Sequence, residues 1–140
     1  MSEENKRFMR RFVKEVINQK NLAALDELVA DEFLEHLPFP GQGPGRAGLK
    51  DAISAFVSAF PDLHWTIDEQ IAEGEKVVSR FTMTGTHRGE FLGIPATDRP
   101  IKVWGVVIDV VRDGRFAESR IIMDSLSLMQ QLGAFAPGED

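Results

Sequence analysis

Few side chains in this sequence can move a proton near neutral pH. There are three histidines. His64 sits between the apolar Leu63 and Trp65, so alternation turns it toward solvent. His36 follows a short extended stretch and stands beside a run of prolines and glycines. His87 has the parity of Phe81, Met83 and Gly85, which aims it at the core. A neutral imidazole in a cavity can take or give a proton. The plainer role is a core histidine bonded to backbone, because most buried polar groups are simply satisfied.

Two aspartates have suggestive surroundings. Asp109 interrupts an apolar strand, after Ile108 and before Val110 and Val111, and shares the parity of Val103, Gly105 and Val107. It is the inward-pointing carboxylate in mid-strand. Burial would raise its pKa and suit it to proton transfer. The alternative is an edge residue paired with Arg112 or Arg115. Asp124 ends the last strand. It can cap the helix that follows and also stand at a pocket mouth as acid, base or orienting group. His36, His87 and a carboxylate have no helical or finger spacing, so no metal is expected. Gly43-Pro44-Gly45-Arg46-Ala47-Gly48 matches G-x-G-x-x-G, with Asp68 placed like a ribose-binding carboxylate. The strands downstream form hairpins instead of βαβ units, and Pro44 removes a backbone donor. The motif reads as a breaker loop at a helix start.

What is missing narrows the chemistry. With no cysteine, thiol catalysis, disulfides and cysteine-ligated zinc are excluded. With no tyrosine, no phenol can position water or an oxyanion. The net charge is −6 and the basic residues are dispersed, so no nucleic-acid partner is expected. No apolar run approaches the length of a membrane span. The first residues lack the apolar stretch of a secretory signal, and a cytoplasmic location is the expectation.

These residues must be held by a small set of elements. A chain of 140 residues, 43% apolar, suits one domain around one core. The expected domain covers residues 1–133, followed by a polar tail over 134–140. Phe8, Phe12, Val13, Val16 and Ile17 recur at helical spacing and predict an amphipathic helix of roughly four turns. Asn21 can cap a second helix carrying Leu22, Leu25, Leu28 and Val29. An extended stretch over Phe33–Leu37 runs into the breakers Pro38 to Gly45. A third helix carries Leu49, Ile53, Phe56, Val57 and Phe60, and Pro61-Asp62 ends it. Alternation then predicts strands over 63–68, 77–86, 101–111 and 115–123, with turns at Glu73-Gly74-Glu75 and Asp113-Gly114. A short helix over 125–132 closes the chain. Helices followed by hairpin-linked strands give an α+β fold, with helices packed on one face of a curved sheet.

The strand over 101–111 is apolar on both faces. One face can meet the helices. The other, with Trp104, Val106 and Ile108, calls for a second copy of the chain, so a homodimer through the outer sheet face is expected.

Several stretches resemble the SnoaL-like polyketide cyclases of the nuclear transport factor 2-like superfamily. They are Gly45-Arg46-Ala47-Gly48-Leu49, Phe60-Pro61-Asp62-Leu63-His64, Ile71-Ala72-Glu73-Gly74 and Met83 to Pro95 with its His-x-Gly-x-Phe-x-Gly-Ile-Pro core. Arg112-Asp113-Gly114-Arg115 and Asp124 with Gln130-Gln131-Leu132-Gly133 complete the series. The resemblance spans nearly the whole chain. It implies a cone-shaped, curved antiparallel sheet with three N-terminal helices around a pocket. It also implies cofactor-independent and metal-independent acid–base chemistry on a carbonyl or polyketide-type compound, of cyclase, isomerase or lyase type. The absence of tyrosine separates the chain from ketosteroid isomerases and limonene-epoxide hydrolases, which share the fold. Name-giving members close a ring by aldol condensation with an aspartate on the last strand and a nearby histidine on the strand before. Here those places hold Ile121 and Val107. His36, His87 and Asp124 match positions frequent across the wider family. The expected acid–base groups are Asp124, His87, His36 and Asp109. Phe81, Met83, Phe91, Val103, Val107 and Ile121 are the expected walls for a small, largely apolar substrate. With both family acid–base positions apolar, a non-catalytic domain that binds a hydrophobic ligand, or a repurposed pocket on the same scaffold, is the alternative.

Overall fold

The computed structural model describes residues 2–134; residues 135–140, most of the expected polar tail, lie outside the described residues. Four strands follow the helices as alternation predicts: β2 (His64–Glu73), β3 (Lys76–Thr86), β4 (Pro100–Arg112) and β5 (Arg115–Met123). Burial alternates strictly along β3 and most of β4, so one face of each strand enters the core. The β4–β5 hairpin turns at Asp113 and Gly114, which have φ of +54° and +76°. Two consecutive left-handed residues are what a two-residue hairpin turn requires.

Another strand, β1 (Val29–Glu35), joins the other edge, and the sheet order is β1-β5-β4-β3-β2. It pairs parallel with β5, while all other pairings are antiparallel. β1 starts earlier than the extended stretch read from sequence. Val29 and Phe33, two of its buried residues, face the core.

The helices cover the concave face. α1 (Ser2–Phe12) carries Met9 and Phe12 inward, and a π-helical stretch (Val13–Asn18) continues it with Val13, Val16 and Ile17 buried. The predicted long first helix is therefore present but changes pitch midway. Asn18 then clasps the edge of β2: its Oδ1 accepts from the Trp65 N–H at 2.8 Å and its Nδ2 donates to the Trp65 carbonyl at 3.0 Å. The second helix departs from expectation. It is a 3-10 turn (Leu22–Ala24) followed by α2 (Leu25–Leu28), and Asn21 makes no capping bond. Val29 belongs to β1 because the extended backbone lets it pair with β5.

α3 (Gly45–Ala59) begins in the glycine-rich motif. A side chain at Gly48 would lie 1.8 Å from the Gly43 carbonyl oxygen, so the loop packs directly on the first helical turn. Arg46 donates to the Val29 carbonyl at 3.0 Å. These glycines serve close packing, and the breaker-loop reading of the motif fits the geometry. α4 (Ser125–Gln131) closes the described chain. No described helix is long and apolar enough to cross a membrane.

Candidate functional site

The concave sheet face and the helices enclose a cavity of about 80 Å³. That is several times the space one water needs. α1 contributes Met9 and Phe12, α3 contributes Leu49, Ile53 and Phe56, and the loop after β1 contributes Phe39 and Gln42. The sheet supplies Trp65, Met83, Val107, Ile121 and Met123. The walls are overwhelmingly apolar and aromatic. Polarity is confined to Gln42 and to one row of the sheet.

That row follows from register. Glu35 on β1 lies opposite Ser119 on β5, Ser119 lies opposite Asp109 on β4, and Asp109 lies opposite Val77 on β3. Residues opposite one another share a face, so carboxyl, hydroxyl and carboxyl stand side by side on the cavity wall. The outer two are roughly 10 Å apart at Cα, two strand spacings. Asp109 and Ser119 are each only 5% exposed.

Asp109 is the most perturbed group. Burial pushes its carboxyl up to about 8, against the hydrogen bond from Ser119, and the charge of Glu35 adds to the rise. Its Oδ2 is buried with no hydrogen-bond partner. Neither Arg112 nor Arg115 reaches it, because Arg112 pairs outside with Glu75 and Glu118 at 3.4 and 3.5 Å. A carboxyl held neutral in an apolar box can donate a proton.

Glu35 was not among the residues singled out from sequence. Burial raises its pKa too, offset by the N–H groups of Leu37 and Ile121 and by the Ser119 hydroxyl. The signal was available: Glu35 has the parity of Phe33, which is buried. What hid it was the partner strand, since only pairing with β5 places it beside Ser119.

The other expected acid–base residues lie away from the cavity. Asp124 is exposed, and its Oδ1 accepts the Ser127 N–H at 3.0 Å, so it is the cap of α4. His36 turns its ring to the outer side and meets Glu118 at 2.8 Å, which holds the Glu118 carboxyl below its usual range. His87 is fully buried, as its parity requires, but lies beyond the cavity wall, with Nδ1 2.9 Å from the Thr97 hydroxyl.

Of the expected walls, Met83, Val107 and Ile121 line the cavity, and Phe81, Phe91 and Val103 do not. Phe81 is hidden because Trp65 lies flat on it, ring centroids 3.7 Å apart and planes 3° from parallel. A side chain at Gly105 would stand 2.6 Å from the Phe81 ring, so glycine there makes room for the stack. Phe91 packs instead on Phe56 and Phe60, at 5.1 and 5.4 Å. Val103 is buried opposite Met83, farther along β4 from Asp109. Among the described residues, no group of three or more His, Asp or Glu is arranged to hold a metal ion.

Known proteins bear on the same fold. The family model described as SnoaL-like polyketide cyclase matches residues 7–132. TsrD from Streptomyces laurentii is 35% identical, with 93% of this chain and 95% of that one covered and a TM-score of 0.84. Wild-type IdmH from Streptomyces antibioticus is 31% identical over 92% of this chain and 98% of that one, with a TM-score of 0.80. AclR from Streptomyces galilaeus, 23% identical over 96% and 99% with a TM-score of 0.85, shares the fold. No curated protein matches the chain.

Proposed function

The chain belongs to the SnoaL-like polyketide cyclase family, and on that premise we propose that it is a cofactor-independent acid–base enzyme acting on a small, largely apolar carbonyl compound. The reaction is cyclisation, isomerisation or dehydration. One observation carries the reading: a carboxyl raised to about 8, with an unpartnered Oδ2, on the wall of an apolar cavity. A neutral carboxyl donates a hydrogen bond, then a proton, to a carbonyl oxygen as electrons move onto it. Asp109 returns to the protonated form by taking up the proton that the substrate carbon releases in the same turnover.

The position of Asp109 has a simple relation to the family pattern. Val107 and Ile121, at the places of the family's histidine and aspartate, are opposite one another on β4 and β5. Asp109 and Ser119 are the next inward-facing pair, roughly 7 Å along the hairpin. The polar pair is displaced by one pleat repeat toward the turn.

Asp109→Asn is the test, because the amide keeps the shape and loses the acid. On a panel of small activated ketones and enones, kcat should fall about 10²–10⁴-fold with binding of apolar probes nearly unchanged. Asp124→Asn should leave turnover intact, since asparagine caps about as well. Full turnover in Asp109→Asn would remove Asp109 from the chemistry. Tight binding of apolar probes by a wild type that turns over none of the panel would favour a binding domain.

We also propose self-association through the outer sheet face. Trp104 and Ile122 are 51% and 64% exposed there, on neighbouring strands. Trp104→Glu would place a charge in a desolvated contact, so sedimentation should show a wild-type dimer and a monomeric variant. A wild type that stays monomeric at high micromolar concentration would defeat this.

A further inference from the structure

Ser119 stands between two carboxyl groups and has a single hydrogen to give. It lies opposite Glu35 on one side and Asp109 on the other, and as a hydrogen-bond donor its hydroxyl opposes the burial-driven rise at both carboxyls. A hydroxyl donates once and accepts through its lone pairs. When Ser119 donates to one carboxyl, it can bond the other only by accepting from its protonated form. Oδ2 of Asp109 has no hydrogen-bond partner, so Oδ1 is the oxygen left to meet Ser119.

The two ends of the row differ in access. Asp109 is sealed inside. Glu35 also lines a groove outside the cavity, with Leu34, Pro38 and Gly43, so it stands between the two spaces. Its Oε2 accepts the N–H groups of Leu37 and Ile121 at 3.1 and 3.3 Å. Those donors hold a negative charge at this end when the carboxyl ionises.

We propose that Glu35 is the second acid–base residue of the cavity, exchanging protons with Asp109 through the Ser119 hydroxyl. The inference rests on the reading of Asp109 as the acid. When Asp109 gives its proton to a compound in the cavity, its carboxylate takes the proton of Ser119. The Ser119 oxygen takes a proton from the protonated Glu35 carboxyl. Glu35 is left as the carboxylate, and a proton from the outer groove restores it. No bond to carbon changes in the relay. One negative charge moves from the sealed end of the row to the end with backbone donors. The reverse order clears a proton that Asp109 has taken.

Among the described residues, nothing else charged faces the row from within. α1 and α3 line the cavity with apolar side chains only, and Val77 and Ala72 continue the row across β3 and β2. His36 pairs outside with Glu118, Arg112 with Glu118 and Glu75, and Arg46 with Asp26 and Asp31.

The experiment is a carboxyl-carbon NMR titration of the whole chain and three variants, with the amide spectrum as a check on folding. In the wild type, Asp109 and Glu35 should titrate as a pair, each carbon showing two steps at shared pH values. Glu35→Gln removes a like charge and should lower the Asp109 midpoint by roughly one unit. Ser119→Ala should raise the Asp109 midpoint and collapse the shared steps into single ones, and Ser119→Thr should restore them. Unshared single steps in the wild type would overturn the relay, as would an Asp109 midpoint that ignores both Glu35→Gln and Ser119→Ala. An Asp109 that titrates near 3.8 in the wild type would instead defeat its role as the acid. If Ser119→Ala fails to fold, Glu35→Gln and Ser119→Thr still decide the matter.

Discussion

Asp109 and His87 are both buried on the concave side of the sheet, and each has one side-chain atom without a partner, Oδ2 and Nε2. Their surroundings differ. Asp109 looks into open volume between apolar walls. His87 is closed in: its Nδ1 accepts the Thr97 N–H at 3.3 Å, and its ring lies 5.5 Å from Phe60. Its backbone is tied on both sides, by its N–H to the Arg99 carbonyl at 2.9 Å and by its own carbonyl to the Asp98 N–H at 2.8 Å. The contrast teaches that burial and an unpaired atom do not make a site by themselves. The group must also border space that a substrate can fill. Where it does not, the group pins a loop.

The contrast can be broken by measurement, and the largest effect lies at Asp109. The folded protein holds this proton up to about pH 8, whereas an ordinary aspartate loses it near 3.8. Between those values the folded state binds a proton that the unfolded chain has released. Wild-type stability therefore falls as pH rises through this window and levels off above it. Asp109→Asn removes that dependence. From pH 5 to pH 8, the wild type should lose on the order of 4 kcal/mol relative to the variant, read from urea unfolding across the range. A difference that stays flat with pH would mean that Asp109 is not sealed, and the contrast would go.

The effect at His87 should be smaller and of another kind. His87→Leu leaves the Thr97 N–H without its acceptor and should cost about 1–3 kcal/mol of stability. Turnover per folded molecule should not change. A large loss of turnover in a folded His87→Leu protein would show that the sealed histidine reaches the chemistry after all.

Both groups were placed correctly by strand parity, because β3 and β4 alternate without interruption where His87 and Asp109 are read. The cap at Asp124 was legible for a related reason: a cap bond spans only three residues. What parity could not supply was the neighbour on the next strand. Ser119 and Glu35 become part of the site through a parallel pairing between residues 29–35 and 116–119, distant in sequence. The second helix is present over 22–28 but stops short of Val29, because the pairing of Val29 with Phe116 draws that residue into β1. Phe81 was placed on the right face, yet a second ring covers it. Parity gives direction but not depth.

The molecule has two tryptophans, and the fold puts them in opposite settings. Trp65 lies flat on Phe81 against the cavity, 8% exposed, and Trp104 stands on the outer sheet face, 51% exposed. In the single chain their emission therefore separates by environment, blue for the ring in apolar surroundings and red for the ring in water. With Trp104 changed to phenylalanine, the remaining fluorescence comes from a ring on the cavity wall. The stack that hides Phe81 thus gives the cavity its own optical reporter, whose colour and intensity would change with any compound that entered.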